Sequence, residues 1–410
     1  MTLAIRVLAG LVAGFLLGLA LAGRSSAAAG TTVAILATVG TIFVNLIRMT
    51  VIPLVVSMVV ASVGGMAVSG RLGATVVRAL LLSVALLVFA AVGSLLIALP
   101  VFARLPIDEA AALALQGPTA ASPSSVPSDA PTLAQWVLDL VPQNVFRSAA
   151  DGAMVPLILF AVLFGLALAR ISEPRRDAVL RVAEGISDVM QRIVLWILAL
   201  APIGVFALAV PLASRLGLGA AGAVIAYVAL VVALTVAAIV LVLYPLGILA
   251  GRLPLREFVS FCAPAQAIGF ASRSSLAALP AMVASAERAA MPPAASRIVL
   301  PLALAIFHFG TAVAQTVGVV FLARLYGVTL SPPQLATIVV AVVLASAAVP
   351  GIPGGSIIAM VPVLAAANLP LEGIGILLAV DTIPDMFRTT ANVTGALTLT
   401  AILPTPEDAS

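Results

Sequence analysis

Apolar segments dominate the chain and limit what it can fold into. They cover about residues 3–23, 31–66, 79–101, 135–169, 193–212, 219–250, 255–290, 298–323, 333–369 and 373–403. A straight helical crossing of a bilayer needs about 20 residues. The segments near 35 residues therefore predict long tilted helices, broken helices or hairpins. Only 9% of the residues are charged, against roughly 25% in a soluble domain, so the chain is predicted to be an all-α polytopic membrane protein.

The amino-terminal segment and the charge balance exclude several other classes. Residues 3–23 follow Met1 closely and contain Arg6, as a signal peptide does, but their length and the further spans favour a first transmembrane helix. The net charge of +4 comes from scattered arginines without a basic block, so no nucleic-acid partner is expected. The single cysteine, Cys262, excludes an internal disulfide and a cysteine-cluster metal site. We expect no metal and no cofactor.

Arginine-rich loops alternate with arginine-poor ones and orient the chain. The linker 102–134 is rich in Ala, Ser and Pro and has Arg104 as its only basic residue, so we expect it to be extracytoplasmic. The amino and carboxyl termini are predicted to be cytoplasmic, in a bacterial-type inner membrane. The arginines that mark the cytoplasmic side are Arg6, Arg71, Arg78, Arg170, Arg175, Arg176, Arg181, Arg252 and Arg256.

A polar stripe lies inside the last apolar segment. On a helical wheel, Asp381, Asp385, Arg388 and Asn392 fall at about 0°, 40°, 340° and 20°. Ionisable groups at membrane depth are costly and normally face a protein interior or a water-filled path. The stripe therefore predicts a binding site. In the alternative interpretation, Asp385 and Arg388 merely neutralise each other while they join helices.

Two segments in the carboxyl-terminal half look interrupted. Residues 255–290 contain Ser272-Arg-Ser-Ser at their centre, and 333–369 contain Pro350-Gly-Ile-Pro-Gly-Gly-Ser. Such residues break a helix and expose backbone groups, which is tolerated where they line a cavity. Each interrupted segment is followed by one apolar span. This repeated unit, with the second copy expected to be inverted, predicts a transporter site at the interface of two repeats.

The residues resemble the dicarboxylate/amino acid:cation symporter family. The likeness covers Arg48 to Pro53, Val141-Pro-Gln-Asn-Val-Phe, Ala201-Pro-Ile-Gly-Val-Phe-Ala, Arg273-Ser-Ser, Gly310-Thr, Gly351-Ile-Pro-Gly and, most specifically, Asp385-Met-Phe-Arg-Thr-Thr-Ala-Asn-Val-Thr-Gly. It implies eight transmembrane helices with two re-entrant helical hairpins and inverted repeats, a homotrimer, and a transport region that moves like an elevator. Helices 1–3 would occupy 1–101, helices 4–6 would occupy 135–254, and the transport region 255–410.

The resemblance also assigns substrate roles. Asp385 would hold an amino group, Arg388 a side-chain carboxylate, and Thr389 and Asn392 the main-chain groups of the substrate. Ser274, Ser275 and Ile352 at the hairpin tips would contact carboxylates, with Thr311 close by. The chemistry agrees, because a guanidinium binds carboxylate bidentately and helix N-termini favour anions. L-Aspartate or L-glutamate fits Arg388 and Asp385 together. A C4-dicarboxylate requires that Asp385 pair with Arg273 or be protonated.

The chain departs from the family at the positions that bind coupling ions. Its Phe307-His-Phe-Gly-Thr stands where the family has Asn-Met-Asp-Gly-Thr, and Ala396 stands where the family usually has Asp. Ala79 and Leu82 align with a Tyr and a Thr that support a buried sodium. Sodium prefers oxygen ligands with a carboxylate among them. We therefore expect coupling by protons rather than by three sodium ions, with Phe307 and Phe309 as an apolar filling.

Three further residues are candidates for coupling or gating: Arg273, His308 and Asp381. A histidine has an ordinary pKa of about 6.5, so His308 could carry a proton, with or without Asp381. The alternative is a structural histidine bonded to a carbonyl of a broken helix. Arg273 either pairs with Asp381 or Asp385, or extends to water.

Together these observations predict a secondary active symporter of acidic amino acids or related dicarboxylates, and not an enzyme. No nucleophile pattern, metal cluster or nucleotide loop is present in the sequence. An anion-conducting channel, or an uncoupled exchanger of dicarboxylates, is the alternative. The expected partners are a small carboxylate substrate, the lipid bilayer and two further copies of the chain.

Overall fold

The computed structural model describes residues 3–22, 27–68, 74–104, 141–151, 154–168, 170–216, 219–291, 299–346, 349 and 354–403. Over these residues the protein is 87% helical and has no strand, so the all-α prediction is confirmed. The predicted extracytoplasmic linker lies, apart from its first three residues, outside the described ranges.

The helices are numbered here in chain order. They are α1 (Leu3–Leu21), α2 (Ala27–Val68), α3 (Ala74–Ala103), α4 (Val145–Ala150), α5 (Met154–Leu168), α6 (Glu173–Ala199), α7 (Ala201–Leu216), α8 (Gly219–Ala238), α9 (Tyr244–Leu249), α10 (Leu255–Ser272), α11 (Ser275–Arg288), α12 (Leu300–Ile306), α13 (Phe309–Leu325), α14 (Pro332–Ser346), α15 (Gly355–Ile358), α16 (Val361–Ala366), α17 (Gly373–Val380) and α18 (Thr382–Ile402).

Several helices are long and apolar enough to cross a membrane. Within the described residues there are four by length and composition, Ala27–Gly65, Val77–Ala103, Gly222–Leu249 and Leu302–Leu325, or five if the bent pair α6 and α7 is one span. The predicted count of eight is not reached by this criterion. Helix α2 runs without a break through Pro53 over 42 residues, which makes it about 63 Å long. Of the three possibilities predicted for the long segments, this length suits a long tilted helix.

The predicted segment 193–212 is divided between two helices. Helix α6 ends at Ala199 and α7 begins at Ala201, with a bend of 58° between them. Pro202 lacks an N–H for the carbonyl four residues earlier, which favours a helix start there.

Helix α7 packs along α1. A Cβ built on Gly10, Gly14 or Gly18 of α1 would lie 2.4–2.5 Å from backbone carbonyl oxygens of α7. Small residues four apart thus let these two helices approach closely.

The first interrupted segment forms two helices around a short turn. Helices α10 and α11 pack against each other and are separated by Arg273 and Ser274 only. In the second interrupted segment, α14 packs against α16, and residues 350–353 of its predicted break lie outside the described ranges. The first packed pair contains the interruption where the sequence predicts it.

Helices α13 and α18 form the centre of the molecule. Nearly every side chain of α13 is buried, as are most of α18, and the two helices contact each other. Helix α8 packs against both and continues through a π-helical turn, Ile239–Leu243. The Thr398 hydroxyl of α18 donates to the Leu243 carbonyl of that turn at 3.3 Å. Polar groups of α18 are therefore held inside a helical core.

Candidate functional site

The predicted stripe begins at a helix break. Helix α17 ends at Val380 and α18 starts at Thr382, so Asp381 lies at the junction. Pro384 explains the break, because it has no N–H to donate to the Val380 carbonyl four residues earlier. The Asp385 N–H then bonds the Asp381 carbonyl at 2.7 Å and resumes the helix.

The charged groups of the stripe form one buried cluster. Arg388 donates from Nη1 to Asp381 Oδ1 at 2.9 Å, from Nη2 to Asp381 Oδ2 at 3.0 Å, and from Nη2 to Asp385 Oδ1 at 2.6 Å. All three residues are at most 4% exposed. An unpaired ion would be strongly destabilising at this depth, and mutual pairing offsets part of that cost. The arrangement contains the neutralising Asp385–Arg388 pair of the alternative interpretation, and adds Asp381 to it.

Asp385 also connects α18 to the start of α15. Its Oδ2 accepts a hydrogen bond from the Gly354 N–H at 3.3 Å. Gly354 has a φ of +76°, a backbone conformation that residues other than glycine adopt only with strain. The glycine thereby places its N–H against the carboxylate.

His308 lies in the break between α12 and α13. Its backbone N–H donates to Ser346 Oγ at 3.1 Å, and its Nδ1 is 2.8 Å from the Ser346 carbonyl. A carbonyl only accepts, so Nδ1 carries a hydrogen and donates. The Ser346 hydroxyl in turn donates to the Ile306 carbonyl at 2.9 Å. Ser346 therefore satisfies the backbone on both sides of the break, and His308 makes the carbonyl contact of the structural interpretation.

Asn392 caps the first turn of α13. Its Oδ1 accepts from the N–H groups of Gly310 at 2.8 Å and Thr311 at 3.2 Å, and its Nδ2 is 3.2 Å from Thr311 Oγ1. The first N–H groups of a helix have no partner within the helix, and this side chain supplies one across the core. Gly310 permits the approach, since a Cβ there would lie 2.4 Å from the Arg388 carbonyl oxygen.

The turn between α10 and α11 reaches the same site. Arg273 ends α10 with φ of +55°, and the Ser274 hydroxyl caps α11 by accepting from the Ala277 N–H at 3.3 Å. Ser275, the first residue of α11, is buried. No ion pair within 4 Å joins Arg273 to Asp381 or Asp385 in the described part of the chain. Arg388 holds both aspartates instead.

The positions expected to lack sodium ligands are apolar and packed. The rings of Phe307 and Phe309 are 5.9 Å apart between centroids, and both residues are 1% exposed. Gly395 leaves space for the Phe307 ring, which would lie 2.7 Å from a Cβ built there. Ala396 and Ala79 are also buried. The predicted apolar filling at Phe307 and Phe309 is confirmed.

A small cavity joins these groups. It has a volume of about 20 Å³, which is room for about one water molecule and far too little for an amino acid. Helices α11 and α13 both begin beside it, so their N-termini favour an anion there. Substrate entry therefore requires that the surrounding groups separate. The lining residues are Arg273, Ser275, His308, Thr311, Val349, Ser356, Asp385, Arg388, Thr389 and Asn392.

The structure brings most predicted site residues together. Thr389 and Ser275 line the cavity with Asp385, Arg388 and Asn392, and Asp381 borders it through Arg388. Ser274 lies at the turn as a helix cap. Ile352 lies outside the described residues.

Sequence analysis did not predict Ser346 at the site, the contact of Gly354 with Asp385 or the pair Gln315–Ser356. The Gln315 Nε2 donates to the Ser356 carbonyl at 3.0 Å. A signal existed for Gln315, an amide one helical turn after Thr311 in an apolar helix. No local pattern connects Ser346 to His308.

Comparisons with known proteins match nearly the whole chain. The family model described as the sodium:dicarboxylate symporter family matches residues 3–405. The proton/glutamate-aspartate symporter of Escherichia coli (strain K12) is 29% identical over 399 residues, 96% of this chain and 90% of that protein. The proton/sodium-glutamate symport protein of Bacillus subtilis (strain 168) is 28% identical over 96% of this chain and 90% of that protein. A C4-dicarboxylate transport protein of Yersinia enterocolitica is 28% identical over 86% of this chain and 81% of that protein.

Proposed function

The chain belongs to the sodium:dicarboxylate symporter family, and we propose that it is a proton-coupled symporter of acidic amino acids such as aspartate and glutamate. The observation that carries the proposal is the buried Arg388 guanidinium, held between two carboxylates at a cavity where two helices begin. The relatives of the chain are named as transporters of glutamate, aspartate and C4-dicarboxylates, and not as enzymes.

The substrate roles follow from charge. Arg388 binds a carboxylate of the substrate, because it is the guanidinium already paired with carboxylates at the site. Asp385 binds the ammonium group, and Ser275 with the start of α11 binds the second carboxylate. Thr389 and Thr311 border the substrate, while Asn392 keeps α13 in place through its cap. A dicarboxylate without an ammonium leaves Asp385 opposite a second anion, which favours amino acids over succinate.

Proton coupling is supported by the packing at the coupling positions. Phe309 and Ala396 offer no oxygen atom, and both are buried among apolar groups. Sodium in a dry site prefers several oxygen ligands with a carboxylate among them. His308 uses its Nδ1 to bond the Ser346 carbonyl. This contact favours a structural role at the helix break over the role of a proton carrier.

The remaining architecture is proposed from the family resemblance. Eight spans and two re-entrant hairpins, α10–α11 and α14–α16, form inverted repeats around the site. Residues 255–410 move as the transport region of a homotrimer in an inner membrane, with both termini on the cytoplasmic side.

Counterflow in proteoliposomes tests the substrate assignment. The full-length protein is loaded with unlabelled L-aspartate, and uptake of labelled L-aspartate, L-glutamate and succinate is measured. We expect saturable exchange of the two amino acids. Asp385→Asn should reduce amino-acid exchange more than succinate exchange, since it removes the ammonium partner, whereas the exposed Asp151→Asn should change neither. Equal loss for all three substrates would contradict the role of Asp385. An ionic current across the membrane without saturable substrate exchange would indicate a channel.

A further inference from the structure

Arg388 has no free edge on which to bind another carboxylate bidentately. A guanidinium has two edges for such binding, and both include Nη2. Here Nη2 donates one hydrogen bond to Asp381 and one to Asp385, while Nη1 completes the pair with Asp381. A substrate carboxylate that binds Arg388 bidentately must therefore displace one of the two aspartates.

The two aspartates differ in what else holds them. Asp385 keeps the Gly354 N–H on its second oxygen, and in the proposed function it also gains the substrate ammonium. Asp381 directs both of its oxygens at Arg388 and has no other side-chain hydrogen bond among the described residues. Asp381 is thus the carboxylate that a substrate can replace without breaking a second contact.

Charge balance determines what happens to the displaced group. The charged and titratable groups that act on Asp381 are Arg388, Asp385 and Arg273, together with Tyr227 of α8. His308 lines the same cavity and is counted as neutral in this balance. Two guanidinium groups balance two carboxylates. Aspartate or glutamate adds a net charge of about −1 at neutral pH, and Asp381 is 3% exposed. One proton on Asp381 restores the balance without leaving a buried unpaired anion.

A candidate partner for the displaced carboxyl group lies on α8, which packs against α18. The Tyr227 hydroxyl is buried and has no hydrogen-bond partner within the described residues. Its ring stacks on Phe321 of α13 at 4.9 Å between centroids. It lies within electrostatic range of Asp381 and Arg388, on a helix that packs against α18. A buried hydroxyl without a partner is unusual and calls for an explanation.

We propose that Asp381 is the proton carrier, and that substrate and proton binding are one exchange at Arg388. The proposal rests on the proposed function. The substrate carboxylate forms the two hydrogen bonds that Asp381 made. One Asp381 oxygen then binds a proton from the solution on the entry side, and the carboxyl group turns to the Tyr227 hydroxyl. When the substrate leaves, Asp381 returns to Arg388 and releases the proton to the other side.

The test measures protons taken up on binding. Purified full-length wild type, Asp381→Asn, Tyr227→Phe and the exposed control Asp151→Asn are titrated with L-aspartate in weakly buffered solution that contains a pH dye. The apparent Kd for L-aspartate is measured from pH 5.5 to 8.5. Counterflow of L-aspartate in the same preparations reports whether transport itself is intact.

Wild type and Asp151→Asn should take up about one proton per aspartate, with a Kd that rises up to about tenfold per pH unit at the alkaline end. Asp381→Asn resembles the protonated carboxyl group, so it should take up no proton and should bind L-aspartate with an affinity that does not depend on pH. Tyr227→Phe should keep the proton and weaken binding about three- to tenfold, as loss of one hydrogen bond does.

Each contrary result has its own meaning. Proton uptake that persists in Asp381→Asn overturns the assignment of Asp381 as the proton carrier. The assignment is also overturned if His308→Gln abolishes proton uptake while Asp381→Asn does not. Unchanged L-aspartate binding in Tyr227→Phe overturns the proposed movement of the Asp381 carboxyl group toward α8. This variant keeps the proposal testable if Asp381→Asn fails to fold. Counterflow by wild type without proton uptake refutes this inference alone. Absence of counterflow in wild type refutes the proposed function.

Discussion

The cap that Asn392 places on α13 makes a quantitative prediction. In Asn392→Ala, the Gly310 and Thr311 N–H groups lose their acceptor inside the buried core. A buried donor left unsatisfied costs about 1–3 kcal/mol, so the pair costs about 2–6 kcal/mol. Unfolding entropy of about 2.1 cal/mol/K per residue gives about 0.9 kcal/mol/K for 410 residues. The melting temperature should therefore fall by ~2–7 °C.

The chain contains a matched control for this prediction. Asn144 caps α4 with the same geometry, because its Oδ1 accepts from the N–H groups of Phe146 at 2.9 Å and Arg147 at 3.0 Å. That cap is exposed, so water replaces the lost acceptor and Asn144→Ala should cost about 0.5–1 kcal/mol, or ~1 °C. Thermal unfolding of both variants in the same detergent measures the difference. Equal shifts would refute the argument that burial of the Asn392 cap decides its contribution.

Three further substitutions have defined outcomes. Arg388→Lys loses the planar guanidinium group and with it at least one charge-assisted hydrogen bond, worth about 1.5–3 kcal/mol. The KM for L-aspartate uptake should therefore rise about 10- to 150-fold. An unchanged KM would exclude the guanidinium as a substrate ligand. Gly310→Ala places a Cβ 2.4 Å from the Arg388 carbonyl and should cost about 1–3 kcal/mol in thermal unfolding, whereas Gly185→Ala, where a Cβ meets nothing within 4 Å, should be neutral or stabilising. His308→Gln should keep the pH dependence of uptake, since His308 braces the helix break; loss of that dependence would identify it as the carrier.

The polar stripe of α18 could be predicted because it depends on helical periodicity alone. Asp385 and Arg388 are one turn apart, and their ion pair follows from that spacing. The contact of Thr311 with Asn392 could be predicted only from the family resemblance, because the two residues are 81 positions apart.

Other features depend on tertiary packing that no local pattern encodes. Ser346 reaches His308 across 38 positions, and its helix shows no sign of that role in the sequence. The bidentate pairing of Asp381 with Arg388 requires a break of the helix at Asp381. Pro384 causes that break, and the helical wheel assumed a continuous helix. The bend after Ala199 has the same origin at Pro202. In both places a proline within the first turn marked the helix start more reliably than the apolar run did.

The central claim, symport of an acidic amino acid with protons, is tested most directly by uptake against imposed gradients. Proteoliposomes with the full-length protein are given labelled L-aspartate under an inward pH gradient without sodium, or an inward sodium gradient at equal pH. The account predicts concentrative uptake with the pH gradient and none with sodium alone. Concentration driven by sodium at equal pH would contradict it, because backbone carbonyls and Asn392 would then have to form a sodium site without a carboxylate at Phe309 or Ala396.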